Sequence, residues 1–401
     1  MAEILTTDPD LVRAALALTP VPWQEAMRRA IRSTAELRRR LGLGPETDDS
    51  GGDDSGGDDS GGDDSASGLL GREIARAERD FSTFVPLEYL SRIRPGDPRD
   101  PLLAQVMASP VETIQVEGFT ADPVGDNAAR VSAGMLQKYH GRVLAIPTGV
   151  CGIHCRYCFR REFDYAGSAD DSGFASSTHA AIGGGDQAPQ AGADAGAAIS
   201  TGVDDAWRPM IERLADSPEV DEVILSGGDP LTLSDAKLDR LIAAIESVPH
   251  VARLRIHSRM PVAIPQRVTP ELVARLRSSR LACWVVIHCN HPREIDAAVA
   301  KSVGDLIDAG VPVLNQAVLL AGVNDDVETL EGLCRACVNL RVQPYYLHQL
   351  DRVAGAAHFE VPVSRGLELI EGLRRRLPGY AVPTYVTEVA GAASKVPNVG
   401  P

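Results

Sequence analysis

Cys151, Cys155 and Cys158 stand at C-x3-C-x2-C spacing, directly after an apolar run from Val143 to Ile146 that reads as a strand. Three thiolates are one short of the four protein ligands that a [4Fe–4S] cluster normally takes. The spacing therefore points to a cluster with one iron left open for another molecule. A structural zinc site or plain buried thiols are the alternatives. Zinc wants a fourth Cys or His at a suitable distance. His154 lies between two of the cysteines, where it could not easily join them on one ion, and no second C-x2-C loop follows. Cys334 and Cys337 share the apolar face of a helical pattern with Leu330, Leu333 and Val338, which is the signature of core packing. Cys283 lies in an apolar strand and reads as core too, while Cys289, just past that strand, is unassigned.

Other residues could do chemistry beside the cysteines. Ser226-Gly227-Gly228-Asp229-Pro230 follows an apolar strand, where glycines either let the backbone approach a ligand closely or simply make a tight turn. Lys395 ends Gly391-Ala392-Ala393-Ser394-Lys395, a small-residue loop beyond the last strand. Such a lysine can reach into a barrel mouth and bond pyridoxal phosphate (PLP) as a Schiff base; an exposed tail lysine is the alternative. Asp351 and Glu388 follow strands and could pair with a substrate ammonium, because a dry site demands a partner for a cation. Solvated loop acids would look the same.

The elements that must position these groups are βα units. Strands are expected at Arg142–Ile146, Glu222–Leu225, Arg253–Ile256, Ala282–Ile287, Pro312–Leu319, Gln343–Leu347 and near Tyr380–Val386. Helical patterns fall between them, at about 205–216, 234–247, 269–279, 293–309, 326–340 and 363–376. The alternation predicts an α/β fold, a partial (β/α) barrel over 141–398 with its site at the strand C-terminal ends. Ahead of it, residues 1–45 read as a helical region, with helices from Asp10 and from Trp23 to about Leu41. Residues 69–140 read as a helical and irregular extension, helical from Leu69 to Phe84. Two stretches interrupt this plan. Residues 46–66 contain Asp48 to Ser65, three copies of Gly-Gly-Asp-Asp-Ser after Asp-Asp-Ser, which read as a disordered acidic linker. Residues 166–205, rich in Ala, Gly, Ser and Asp, sit in the first βα loop and read as disordered or as a mobile lid.

The net charge of −15 belongs to those two stretches. The first carries nine acids and the second six, neither has a Lys or Arg, and the remainder is balanced. No basic patch suggests nucleic acid, and no apolar run of 18 or more residues suggests a membrane span. Seven cysteines, an odd count, fit a reducing compartment such as the cytoplasm better than a disulfide framework.

Several segments resemble the lysine 2,3-aminomutase family of radical S-adenosylmethionine (SAM) enzymes. They are Cys-Arg-Tyr-Cys-Phe-Arg-Arg (155–161), Ile-Leu-Ser-Gly-Gly-Asp-Pro-Leu (224–231), Leu-Arg-Ile-His-Ser-Arg (254–259), Asn-Gln-Ala-Val-Leu-Leu (315–320), Pro-Tyr-Tyr-Leu-His-Gln-Leu-Asp (344–351) and Ala-Ala-His-Phe (356–359). The similarity spans about residues 69–398 and resembles most the branch that makes β-lysine for attachment to translation elongation factor P. Phe81 to Leu103, with Val-Pro-Leu-Glu-Tyr and Gly-Asp-Pro-Arg-Asp-Pro-Leu-Leu, and the Gly-Ala-Ala-Ser-Lys loop favour that branch. Free-lysine enzymes of the family have Gly-Gly-Gly-Gly-Lys in that loop.

The resemblance implies a radical SAM barrel that moves the amino group of L-lysine from C2 to C3. It implies that Cys151, Cys155 and Cys158 hold a [4Fe–4S] cluster, and that Lys395 bonds PLP while Arg142 contacts its phosphate. Ser226, Gly227 and Gly228 would lie near the methionine end of SAM, with His288 and Gln316 lining its pocket. Arg160 would hold the substrate carboxylate, and Asp351 and Glu388 the distal ammonium; the free-lysine enzymes have Asp where Glu388 stands. The partners implied are L-lysine, a reducing electron donor and, indirectly, elongation factor P with its lysyl ligase; whether the chain forms an oligomer is left open. Asp326 replaces a zinc-ligand Cys of the free-lysine enzymes, so zinc-bridged assembly is not expected. The same chemistry on another amino acid or in free β-lysine metabolism remains the alternative, with a non-catalytic metal-binding protein more remote.

Overall fold

The computed structural model describes residues 21–44, 66–165 and 205–400. The helix from Asp10, the acidic linker and the insert up to residue 204 lie outside the described residues, and so do the readings attached to them.

The described strands form a single open sheet whose spatial order follows the chain. They are β1 (Arg130–Ser132), β2 (Met135–Tyr139), β3 (Arg142–Ala145), β4 (Glu222–Leu225), β5 (Arg253–Ser258), β6 (Ala282–His288), β7 (Val313–Val318), β8 (Gln343–His348), β9 (Thr384–Thr387) and β10 (Val396–Pro397). Strands β3 to β9 run parallel, each to its neighbour. Antiparallel pairs flank them, β1–β2–β3 on one edge and β9–β10 on the other. The architecture is a partial (β/α) barrel, and its seven parallel strands fall where the sequence placed them.

Alternation along these strands decides what the two faces do. In β3, β4, β5 and β7 the burial alternates residue by residue. Val143, Val223, Leu254, Ile256 and Val313 are wholly buried in the main core, whereas Arg142, Ile224, Arg255, His257 and Gln316 line a cavity on the other face. Period-two alternation thus puts one set of side chains against the helical layer and gives the other, with Arg142, Arg255, His257 and Gln316, to the cavity.

The crossover helices start where short polar side chains accept a first-turn backbone N–H. Ser234, Thr269, Asp296 and Asp326 cap the helices Asp235–Glu246, Pro270–Ser278, Ala297–Asp308 and Val327–Asn339. Each helix then lays an i, i+3, i+4 stripe on the sheet; Leu238, Leu241, Ile242 and Ile245 are the stripe of the first. Cys334 and Cys337 sit on the buried side of Val327–Asn339, as their apolar setting predicts, and Cys283 and Cys289 are buried as well.

Two features of the N-terminal region differ from the sequence reading. The helix expected from Trp23 to Leu41 is two, Trp23–Arg28 and Thr34–Arg40. Between them Ile31 pairs its backbone with Val85 in both directions, at 2.8 and 2.9 Å, and Ser33 caps the second helix. A distant backbone partner outbids the local pattern there. The stretch 69–140, read as helical or irregular, contains the β1–β2 hairpin, which joins the barrel sheet through β3. The helix expected from Leu69 to Phe84 runs over Ala66–Asp80.

Two helix glycines give a paired prediction. Gly304 has no atom within 4 Å of an added Cβ, whereas at Gly366 that Cβ would lie 2.3 Å from the Tyr385 ring on β9. Gly304→Ala should stabilise the chain by up to about 1 kcal/mol from helix propensity. Gly366→Ala should destabilise it by about 1–3 kcal/mol, because overpacking outweighs the same gain. Denaturant midpoints of the two variants moving the same way would contradict this packing.

Candidate active site

Lys395 is placed by a hairpin. Strand β10 pairs antiparallel with β9, Val396 opposite Thr387, so Lys395 stands across from Glu388. The Lys395 Nζ forms an ion pair with Glu388 Oε2, on a side chain about a quarter exposed. The small-residue loop that Lys395 ends is therefore held at both ends by strand pairing. Glu388 Oε1 accepts a hydrogen bond from the Tyr139 hydroxyl at 2.7 Å and lies 3.5 Å from Lys138 Nζ.

From Lys138 the pairing continues across the site. Its Nζ lies 2.6 Å from Asp126 Oδ1, and Arg160 Nε donates to Asp126 Oδ2, also at 2.6 Å. The turn that presents Asp126 is built by Asp122, whose carboxylate accepts the backbone N–H groups of Asp126 and Asn127. Gly125 takes a φ of 70°, open to glycine at little cost. Arg160 Nη1 comes within 3.5 Å of Ser226 Oγ. A continuous line of opposite charges thus runs from Lys395 to Arg160.

All of these groups border one cavity of about 360 Å³, the size of a small-molecule site. Of the residues singled out from the sequence, Arg142, Arg160, Ser226, His288, Gln316, Asp351, Glu388 and Lys395 line it. The Arg142 guanidinium lies over the Tyr139 ring, 4.8 Å from its centre. Asp126, Lys138, Tyr139, His257, Tyr345, Tyr346 and His348 also line the cavity, and the sequence reading did not single them out. The first three come from the β1–β2 region, whose pairing with residue 388 has no local pattern. His257 and His348 lie inside strands, where only inward alternation marks them.

Burial sets the charge states. Asp351 is pushed up to about 7 by desolvation, with Lys395 opposing and Glu388 adding to the rise. Burial also acts to raise Glu388 and Asp126, but their cationic and hydrogen-bonding neighbours outweigh it and hold both below the ordinary carboxylate range. Desolvation keeps His257 and His348 neutral and lowers His288 to about 4. The Nε2 atoms of all three histidines and Oε1 of Gln316 are buried without a hydrogen-bond partner. Unpaired polar atoms of this kind in a cavity wall are unspent recognition capacity.

The three cysteines and Gly227 and Gly228 do not line the cavity; they form a neighbouring layer. The Gly228 and Asp229 N–H groups donate to the Thr148 and Val150 carbonyls, at 3.2 and 2.8 Å. A Cβ at Gly228 would lie 2.6–2.7 Å from backbone atoms of residues 148–150. Gly228 therefore makes its close approach to the chain's own cysteine loop, and Gly227 to the Ile146 side chain. Cys151, Cys155 and Cys158 are free thiols of intermediate exposure. Burial first, then the neighbouring thiols, raise Cys151 and Cys158, the latter to about 11. Among the described residues no three His, Cys, Asp or Glu side chains are grouped closely enough to hold a single metal ion.

No protein-family model matches the chain. L-lysine 2,3-aminomutase of Escherichia coli is 39% identical over 321 residues, 80% of this chain and 84% of that protein. The Haemophilus influenzae protein of the same name is 39% identical over 80% of this chain and 85% of its own length. L-lysine 2,3-aminomutase of Clostridium subterminale is 34% identical over 94% of this chain and 77% of its own length. Among solved structures, Streptococcus suis SuiB bound to S-adenosylmethionine aligns with a TM-score of 0.41 at 16% identity, over 64% of this chain and 52% of that one. That likeness is too loose to bear on function.

The raised Asp351 carboxyl has a measurable consequence. Its ordinary value is 3.8, so between about pH 4 and 7 the folded chain keeps a proton that the unfolded chain has released. Stability must then fall as pH rises through that window. Asp351→Asn cannot ionise and lacks this slope. In urea unfolding the advantage of the variant over the natural chain should grow between pH 5 and pH 8 by up to about 3 kcal/mol. A constant difference would mean that Asp351 is not held neutral by burial.

Proposed function

The chain belongs to the lysine 2,3-aminomutase family, an isomerase family, and from that premise we propose that it converts L-lysine to β-lysine, destined for a lysyl ligase that modifies translation elongation factor P. The observation that carries the substrate is the polarity of the cavity. Its lining includes a guanidinium, Arg160, and two carboxylates, Asp351 and Glu388. A lysine molecule presents the complementary groups, a carboxylate at one end and an ammonium at the other.

The family works with a [4Fe–4S] cluster, SAM and PLP, and the residues present fit all three. The cysteine loop offers three sulfurs and no fourth, the donor set that leaves one iron free. His288 Nε2 and Gln316 Oε1 are buried and unpartnered beside the cavity, as expected of groups that await a polar ligand. Lys395 would hold PLP, and Arg142 its phosphate. When bound, the reduced cluster with SAM supplies a radical able to take a hydrogen atom from a C–H bond, and PLP supplies a π-system on the migrating nitrogen.

The chain's own residues position and protect. Arg160 would turn its Nη groups, one of them 3.5 Å from Ser226 Oγ, to the substrate carboxylate while Asp126 holds its Nε; a planar fork suits that task. Asp351, neutral at acidic pH and dry, ionises when an ammonium arrives to pair with it. Glu388 is already ionised and is the nearest carboxylate to Lys395. Once Lys395 is engaged as the PLP anchor, Glu388 is released to meet the substrate. The neutral histidines and the Tyr345–Tyr346 pair, ring centres 3.7 Å apart, wall the cavity without competing charges. Exclusion of water then guards the radical.

The link to elongation factor P rests on the Phe81–Leu103 segment and on the Gly391–Lys395 loop, whose sequences resemble that branch. A one-electron donor is required, and a reducing compartment such as the cytoplasm suits an oxygen-sensitive cluster. No helix among the described residues is long and apolar enough to cross a membrane.

Asp351→Asn should raise the KM for lysine about 30-fold or more, the equivalent of about 2 kcal/mol, with a smaller change in kcat. Indifference of KM would remove Asp351 from the ammonium site. For the destination, the product should be transferred to elongation factor P by its lysyl ligase faster than α-lysine when each is supplied alone in a separate reaction, read as a mass increase on the acceptor. Equal transfer of α-lysine would favour a free-metabolite role.

A further inference from the structure

Arg259 follows β5 and is buried to 4% exposure, with no direct part in the cavity. A buried guanidinium is costly unless its N–H groups are matched. Its Nη2 is held by three acceptors, the Gln105 amide oxygen at 2.7 Å, Glu294 Oε2 at 3.1 Å and the Tyr89 hydroxyl at 3.2 Å. The first two acceptors are fixed in turn, since Gln105 Nε2 donates to Glu294 Oε1 and Asn290 Nδ2 donates to Gln105 Oε1. Asp229 accepts the Arg259 backbone N–H at 2.8 Å. Its Nε is buried with no partner, and its Nη1 donates to the Sγ of Cys155.

We propose that Arg259 is a positioning residue for the electron-transfer step: a clamped positive charge on Cys155 that makes reduction of the iron–sulfur cluster easier. The inference rests on the reading of Cys151, Cys155 and Cys158 as cluster ligands. Reduction adds one electron, taken from an external one-electron donor, and no proton, so the charge on the cluster and its thiolates grows more negative by one. A donor N–H and a positive charge beside one sulfur stabilise that state more than the oxidised one; hydrogen bonds to sulfur and net charge are what set such potentials. The clamp matters because Arg259 cannot turn away as the charge changes. Its three acceptors come from segments far apart in sequence, so the charge is held by the fold.

The test uses the full chain reconstituted anaerobically with iron and sulfide, poised in a redox titration and read by electron paramagnetic resonance of the reduced cluster. Arg259→Lys keeps the charge but loses the fork, Arg259→Met loses both, and Tyr89→Phe loosens the clamp alone. At the potential that half-reduces the natural chain, the reduced-to-oxidised ratio should fall about tenfold in Arg259→Met, the equivalent of about 1.4 kcal/mol. It should fall less in Arg259→Lys and least in Tyr89→Phe, with iron content unchanged. If Arg259→Met does not hold its iron, the lysine variant decides. Loaded variants that reduce at the natural potential overturn the proposal alone. A natural chain that takes up no four-iron cluster overturns the cysteine reading and the proposal with it.

Discussion

Buried charge must be paired, and that constraint organises this molecule. Lys395 meets Glu388 across a hairpin, Lys138 reaches Glu388 and Asp126, and Asp126 holds Arg160. Removing one member of such a line leaves a neighbour as an uncompensated charge, which costs far more than a surface ion pair is worth. The line also runs along the cavity from Lys395, the proposed PLP anchor, to Arg160, the proposed carboxylate anchor.

A second buried network does similar work in the neighbouring layer. Arg259, Glu294, Gln105 and Asn290 bind one another and reach Cys155. Arg156, next to that cysteine, is wholly buried against Glu112, which also takes Arg161. Acids and amides from the N-terminal extension, Gln105 and Glu112, thus fix the cysteine loop of the barrel. This gives a physical reason for the extension to pack on the sheet, with its apolar residues Leu102, Leu103 and Val106 in the main core.

The parallel strands were legible because their apolar runs and helical intervals are local patterns, and the cysteine trio was legible because its spacing is short. Lys395, Asp351 and Glu388 were legible only as weak loop residues until the resemblance was used. The rest depends on contacts that no local pattern encodes. Asp126 and Lys138 acquire their roles from Arg160 and from Glu388, 250 positions beyond Lys138. Ile31 breaks a plausible helix because Val85 offers its backbone. Gly228 reads from the sequence either as ligand-facing or as part of a tight turn, and only the fold shows that the backbone of residues 148–150 leaves no room there for a Cβ.

The central claim is that this cavity holds lysine by both ends while nitrogen moves between adjacent carbons. L-lysine labelled with nitrogen-15 at the C2 amine and followed by carbon–nitrogen coupling in NMR tests it most directly. The anaerobically reconstituted chain should move the label to C3, with the distal nitrogen unlabelled and no ammonia released. Label that stays on C2, or appears as free ammonia, would contradict it.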